Sequence, residues 1–294
     1  MSELSDAAGA FGIWTGSFQW PSDPGEIADT AVELEDLGFG ALWLGLSSGD
    51  LELHETILAA TNDLVVASGI VNVWTEPAEV VISSYHRVAA ASPGRFVLGL
   101  GAGHAEMVEP MTGQRYVRPL GKLAAYLDQL DAADPPVPVG HRVLAALRPK
   151  ALALAAARAA GAHPYLTTPE HTAEASAILG PAAWLAPEQK VILSRDADAA
   201  RATARRRLEG YLGLPNYVNN LRRYGFDDAD FAGGGSDRLV DALVIWGDGA
   251  AIDRRVREHL DAGAHHVALQ VLPTEGGASL PRVDWRRAAE LFLT

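Results

Sequence analysis

The chain has 294 residues, of which 48% are hydrophobic and 21% charged, with a formal net charge of −13. A surface this acidic repels nucleic-acid phosphates and anionic lipid, so we expect neither a nucleic-acid nor a membrane partner. Cysteine is absent, which excludes disulfides, thiolate nucleophiles and cysteine-ligated metal sites.

Short apolar runs alternate with amphipathic helices along the whole chain. The runs do not alternate polar and apolar residues, so both faces of each strand should be buried, as in a parallel sheet covered by helices. Eight such units predict an α/β fold, the (β/α)8 TIM barrel, and barrels of this length form one domain, here residues 1–294. The predicted strands are 11–15, 41–46, 64–73, 95–101, 141–147, 163–167, 190–194 and 265–272.

The predicted helices begin at proline or aspartate. Proline fits the first helical turn because its missing N–H has no partner there in any helix. The first long helix places Ile27, Ala31 and Leu34 on one face and stops at Gly38, which tolerates a left-handed cap. Further helices are predicted from near Pro77, Pro119, Pro149, Pro169, Asp196 and Asp248.

An insertion at residues 215–236 is too long and too polar for a plain connection. It contains several aromatic residues, paired asparagines and Arg222 with Arg223, and it ends in Ser236, a predicted helix N-cap. Two interpretations stay open: the segment lies over the barrel mouth, or it is a surface excursion without ligand contact.

The segment RFVLGLGAGHAE, residues 95–106, fits neither a dinucleotide fingerprint nor a Walker loop, since His104 stands at the third glycine position and no G-K-[ST] follows. It is better interpreted as a barrel strand, with Gly99 and Gly101 leaving room for a flat group. His104 lies just beyond the strand and is a candidate general acid or base. The alternative is a rim histidine that bonds a carbonyl.

The segment at residues 69–79 places Asn72, Val73 and Trp74 at the end of the third strand. A bulge there would present backbone to a ligand, although an ordinary turn before the next helix is the alternative. Trp14 and Trp20 flank the end of the first strand. With Trp74 they predict an aromatic pocket for a planar cofactor or substrate.

Two cations flank a predicted helix start after the fifth strand. Arg148 and Lys150 stand beside Pro149, and free N–H groups at a helix N-terminus attract anions. Thr167 and Thr168 could donate to the same anion. The alternatives are solvated cations and a plain helix cap. No metal site is predicted, because the remaining histidines lack metal spacing and there is no H-E-x-x-H motif.

The series GIWTGS, GFGALWLGL, VVASGIVNVWTEPAE, SPGRFVLGLGAGHAE, VLAALRPKALALAA and AHHVALQVL resembles the luciferase-like monooxygenase superfamily. It looks most like the branch of oxidoreductases that use the deazaflavin coenzyme F420. The resemblance implies a luciferase-like TIM barrel with a flavin-type ring at the strand ends. It also implies a non-proline cis peptide within Asn72, Val73 and Trp74, and a phosphate-bearing cofactor chain near Ala146, Arg148, Pro149, Lys150, Thr167 and Thr168.

Two departures bear on the substrate. The sugar-phosphate dehydrogenases of the superfamily carry an acidic residue and a histidine after strand two and a glutamate after strand four. Leu46, Ser47 and His104 stand there in this chain.

The expectation is therefore an F420-dependent enzyme that transfers a hydride to or from a small organic substrate, with His104 moving the proton and Trp14 and Gly101 beside the ring. The alternatives are an FMN-dependent monooxygenase and a cofactor-binding protein without turnover. By resemblance a homodimer is expected. The N-terminus lacks a basic segment followed by an apolar one, so we expect a cytoplasmic protein.

Overall fold

A computed structural model describes residues 3–273 and 279–293. Its eleven strands form one parallel sheet in the order β10-β9-β11-β1-β2-β3-β5-β6-β7-β8, with β4 paired to β5. The strands are β1 Phe11–Gly16, β2 Ala41–Gly45, β3 Val65–Ser68, β4 Val71–Asn72, β5 Phe96–Gly101, β6 Arg142–Leu144, β7 Gly161–Ala162, β8 Trp184–Leu185, β9 Glu188–Ile192, β10 Val244–Trp246 and β11 Val267–Val271.

The sheet curls until its ends meet. Only Ala186 and Pro187 separate β8 from β9; β8 pairs with β7, and β9 pairs with β11, which pairs with β1. The Glu188 N–H donates to the Pro164 carbonyl at 2.9 Å and carries the pairing past the end of β7. β3 and β4 share one position in the barrel, as do β8 and β9, and among the described strands β10 pairs only with β9. Eight strand positions therefore surround the interior, which confirms the predicted barrel.

Helices cover the outside of this barrel and bury one face each. The predicted helices are all present, and Gly38 follows the first long one with a φ of 90°. The helices are α1 Glu3–Ala7, α2 Pro24–Asp36, α3 Glu52–Ala60, α4 Ala78–Ala91, α5 Ala105–Thr112, α6 Pro119–Ala132, α7 Pro149–Arg158, α8 Pro169–Leu179, α9 Ala197–Leu212, α10 Pro215–Arg222, α11 Asp228–Phe231, α12 Asp237–Leu243, α13 Gly249–Asp261 and α14 Arg282–Phe292.

Strand limits differ from prediction where side-chain pattern is a poor guide. The run 64–73 is interrupted between β3 and β4, and the sixth strand is residues 161–162 where 163–167 was predicted. β10 was missed because its three residues directly follow α12, so no turn separates the two patterns.

The close approach at Gly99 is made by the neighbouring strand. A Cβ atom there would stand 1.7 Å from the Ser68 carbonyl oxygen, and the Ser68 hydroxyl lies 2.7 Å from the Gly99 N atom. The expectation that a ligand needs this space is wrong for Gly99. The glycine lets β3 and β5 cross closely.

The insertion at 215–236 folds into α10, α11 and a short 3-10 turn. Leu221 and Phe226 pack in a buried cluster with α9 and α12, and the Ser236 hydroxyl accepts from the Leu239 N–H at 3.2 Å, which confirms the predicted cap. The Asp230 carboxylate accepts hydrogen bonds from Ser236 and Arg238 and so holds the end of the segment in place. No helix in the described parts of the chain combines the length and apolar character needed to cross a membrane.

Candidate functional site

A cavity of about 630 Å³ opens at the carboxyl ends of β5, β6 and β7. Its walls come from the loops after these strands, from the start of α6 and from α10, so the insertion does lie over this part of the barrel mouth. The lining residues are Ile70, Ala102, Gly103, His104, Tyr116, Pro119, Leu120, Leu123, Ala145, Ala146, Leu147, Arg148, Pro149, Lys150, Ala151, His163, Tyr165, Asn216, Tyr217 and Arg223.

His104 lies where the sequence predicted, three residues beyond β5 and at the N-cap of α5. Its Nδ1 atom is buried without a partner in the described structure, and its ring packs on that of Tyr217 with centroids 4.9 Å apart. Burial lowers the pKa of His104, opposed by the charge of Glu106. The imidazole is therefore neutral near pH 7 and can take up a proton in the cavity.

Three tyrosines of the cavity were not predicted as site residues. Tyr116 donates from its hydroxyl to the Gly103 carbonyl at 2.9 Å and so fixes the loop that carries His104. Tyr165 donates to Gln270 at 3.0 Å, and its ring lies 6.2 Å from that of Tyr217. These residues lie on two loops and on the insertion, far apart in sequence, so periodicity gave no signal for them.

The Tyr165 ring rests on a buried ion pair at the start of β9. Lys190 Nζ lies 3.1 Å from both carboxylate oxygens of Glu188 and 3.9 Å from the centre of the Tyr165 ring. Burial raises the pKa of Glu188 and lowers that of Lys190, while their mutual attraction opposes both shifts. The pair holds Tyr165 through a cation–π contact.

The positive end of the cavity lies at the start of α7. Arg148 is the N-cap residue without a side-chain cap bond, and Arg148, Pro149 and Lys150 all line the cavity beside Ala146. The positive end of the α7 helix dipole and two cations thus meet one wall, which suits an anion. Arg223 of the same lining is paired with Glu174 at 2.5 Å.

Thr167 and Thr168 do not line this cavity. Both are buried, and neither Oγ1 atom has a partner in the described structure. Thr168 is the N-cap residue of α8 but its side chain makes no cap bond. Two buried donors are therefore unsatisfied next to a helix start, an arrangement that a bound anion would satisfy.

Asn72, Val73 and Trp74 form a turn with trans peptides, so the expected cis peptide is wrong. Asp134–Pro135 is the only cis bond in the described residues. The turn closes because Asn72 Oδ1 accepts from the Trp74 N–H at 3.0 Å, and the Val73 N–H donates to the Gly101 carbonyl at 3.0 Å. The asparagine side chain makes the bend without a cis bond.

The predicted aromatic pocket is not formed by tryptophans. Trp14 lies behind Tyr165, with centroids 5.0 Å apart, and Trp74 lies 5.4 Å from Tyr116, so each indole supports a tyrosine of the lining. The Trp20 indole donates to Thr15 at 2.8 Å and borders a separate crevice. Gly101 is also outside the lining, since Ile70 and Ala145 fill the space of its missing side chain.

A metal centre is not formed by the described residues, since no three His, Asp or Glu side chains come together in a way that could hold an ion.

Comparison with known proteins agrees with this fold. Residues 9–134 match the family model of the luciferase-like monooxygenases, which confirms the resemblance stated above. A 5,10-methylenetetrahydromethanopterin reductase of Methanolobus tindarius is 31% identical over 104 residues. That match covers 34% of this chain and 32% of the relative, so the chain matches about a third of the relative's length.

Solved structures share the architecture over nearly the whole chain. A coenzyme F420-dependent tetrahydromethanopterin reductase from Methanopyrus kandleri superposes with a TM-score of 0.76 at 18% identity, covering 98% of this chain and 99% of the other. An F420-dependent secondary alcohol dehydrogenase gives 0.73 at 14%, covering 97% and 98%. The FMN-bound oxygenating constituent of 3,6-diketocamphane monooxygenase from Pseudomonas putida gives 0.66 at 12%, covering 97% of each chain.

Proposed function

We propose that this chain, a relative of the luciferase-like monooxygenases, is an oxidoreductase that uses coenzyme F420 to move a hydride to or from a small organic substrate. The observation that carries the proposal is one cavity with a neutral histidine on one wall and a cationic helix start on another. Two F420-dependent structural neighbours support the choice of cofactor, and the sequence relative from Methanolobus tindarius is, like one of them, a reductase of a tetrahydromethanopterin.

The cavity residues fit a phosphate-bearing deazaflavin. Tyr116, Tyr165 and Ile70 supply flat apolar surface for a ring system. Arg148 and Lys150 would hold the phosphate at the N-terminus of α7. Thr167 and Thr168 lie outside the lining, and their contact with the phosphate stays a prediction from the resemblance. When bound, the deazaflavin supplies a ring carbon that exchanges a hydride with the substrate.

His104 would handle the proton that accompanies the hydride. In the oxidation of an alcohol, its neutral imidazole accepts the hydroxyl proton as the carbon–hydrogen bond breaks, and in the reverse reaction the imidazolium returns that proton. The Tyr217 ring packs against the imidazole of His104 at a tilt of 43° and limits its motion. A cavity that holds the two reacting partners close together favours direct transfer between them.

A binding titration tests the proposal. Purified protein is titrated with coenzyme F420 and, separately, with FMN, following cofactor fluorescence at moderate salt. Binding of the deazaflavin at least 10-fold tighter than FMN, followed by turnover with an alcohol, aldehyde or activated alkene, is the expected result.

Two outcomes would redirect the proposal. Tighter binding of FMN would place the protein among oxygen-using monooxygenases, for which the FMN-bound neighbour is the precedent. Tight deazaflavin binding without turnover across the substrate panel would identify a cofactor-binding protein.

A further inference from the structure

His163 is one of the lining residues of the candidate cavity and has no role in the proposed proton transfer. It directly follows β7, is 2% exposed, and stacks on Trp43 with centroids 4.2 Å apart and planes at 13°. The stacking fixes the plane of the imidazole, so its two nitrogen atoms have defined surroundings.

One ring nitrogen of His163 has a hydrogen-bond partner. Nδ1 lies 2.6 Å from the Ala186 carbonyl oxygen. A carbonyl oxygen only accepts, so Nδ1 carries the proton and donates it. Because the ring is buried, desolvation lowers the pKa of His163 to about 4, and the histidine is neutral at physiological pH. The other nitrogen, Nε2, is then a bare acceptor.

The neighbouring His266 has an equivalent acceptor nitrogen, and there the fold supplies a hydrogen-bond donor. Its Nδ1 lies 2.8 Å from the Gly9 carbonyl, so it has the same tautomer, and its Nε2 accepts from the Trp43 indole at 3.0 Å. His163 Nε2 has no donor in the described structure. A buried acceptor without a donor is unfavourable, so a partner in the adjoining cavity would stabilise it.

We infer that His163 is a positioning residue whose Nε2 accepts a hydrogen bond from a neutral N–H or O–H group of the cavity's ligand. The inference rests on the proposed function for the identity of that ligand. Two groups offer the chemistry: the imide N–H of the deazaflavin ring and the hydroxyl of an alcohol substrate. His163 stays neutral in either case and does not take the proton, which is the role of His104.

Long-range ¹H–¹⁵N NMR of protein labelled at histidine tests the inference directly. The His163 signals are assigned by their loss in His163→Gln. We expect the Nδ1–H tautomer in the free protein and no titration between pH 5 and 9. The Nε2 resonance should move upfield when a donor binds, either on adding coenzyme F420 or only on adding 2-propanol to the F420-bound protein. The first result identifies the ring as the donor and the second the substrate.

An Nε2–H tautomer, or an Nε2 resonance that moves in neither step although F420 binds, overturns the inference and leaves the proposed function intact. Failure of F420 to bind overturns both.

Affinity gives an independent readout. His163→Leu removes the acceptor and His163→Gln retains one, while His86→Gln on α4 is the matched control outside the cavity. If the ring is the donor, His163→Leu weakens F420 binding about 10-fold, as expected for one lost hydrogen bond, and the other two variants bind within about 2-fold of the original protein. If the substrate is the donor, His163→Leu raises the KM for the substrate. Its F420 affinity, and the fall of its turnover rate at acid pH, then stay the same as in the original protein. Equal behaviour of His163→Leu and His163→Gln in both readouts contradicts the inference.

Discussion

At the scale of single residues, the two histidines of the cavity have different surroundings, and these suit them to different roles. His104 lies at the rim on a loop, with Nδ1 buried and unpartnered, whereas His163 is stacked on Trp43 with its Nδ1 bonded to a carbonyl. Only a residue that can change its protonation without moving charge into the barrel core suits proton transfer. His104 meets that condition better.

The first prediction concerns His104. His104→Gln should reduce turnover by about 100- to 10,000-fold, the usual contribution of a general acid or base, and leave F420 affinity within about 2-fold. Substrate oxidation needs the neutral imidazole, so its rate in the original protein should fall as pH drops through a pKa below the ordinary 6.5. This acid limb should disappear in the variant. Full turnover of His104→Gln with cofactor bound would refute the assignment.

The second prediction concerns the cationic wall. Lys150→Ala should weaken F420 binding by about 10- to 100-fold, because a hydrogen bond to a charged group contributes about 1.5–3 kcal/mol. The difference from the original protein should shrink in high salt, since added ions screen the charge. Arg257→Ala on α13 removes a cation of equal charge outside the cavity and serves as the control. Equal affinities of the two variants would place the cofactor phosphate elsewhere.

At the scale of elements, the insertion matters because α10 forms part of the cavity wall. Leu221 packs in the buried cluster with α9 and α12. Tyr217, one turn earlier on the same face, packs against this cluster and also lines the cavity together with Asn216. Either interpretation of residues 215–236 was compatible with the sequence. Which residues of the insertion reach the cavity depends on how α10 packs against α9 and α12.

The third prediction concerns α10. Tyr217→Ala removes ring contacts with His104 and Tyr165, each worth about 0.5–1.5 kcal/mol, so we expect kcat/KM to fall by up to about 5- to 160-fold. Tyr217→Phe keeps these contacts and should retain activity within about 2-fold. Steady-state kinetics with the substrate found in the panel measure both. A larger loss in Tyr217→Phe would show that the hydroxyl, and not the ring, contributes.

At the scale of the whole molecule, the ring of strands closes through β8 and β9. Glu188 at the start of β9 binds Lys190 and also accepts from the Leu166 N–H at 3.2 Å, so the ion pair ties β9 to the segment after β7. A buried charge left without its partner is strongly unfavourable. The stability of the barrel should therefore depend on keeping the two charges together.

The fourth prediction tests this closure. Lys190→Met should lower the free energy of unfolding by about 3–5 kcal/mol, because Glu188 would be buried without a cation. The double variant Glu188→Gln with Lys190→Met removes both charges and should recover a large part of the loss. Urea denaturation followed by circular dichroism gives these values. Equal stability of the single and double variants would show that the two residues are not energetically coupled.

The sequence by itself determined the barrel and the order of its units. Apolar runs such as residues 95–101 must be buried on both faces, and proline and aspartate mark helix starts locally, so these features follow from short stretches of chain. His104, Arg148 and Lys150 were found for the same reason, since each directly follows a predicted strand.

Only the tertiary structure decided which side chains meet at the cavity. Tyr116, Tyr165 and Tyr217 come from three separate segments, and their distances depend on how the helices pack. The trans turn at Asn72 depends on one side-chain hydrogen bond that residue type alone does not specify. The bare nitrogen of His163 depends on a carbonyl 23 residues away. Contacts between distant segments carry no periodic signal, because the chain must fold before those atoms are neighbours.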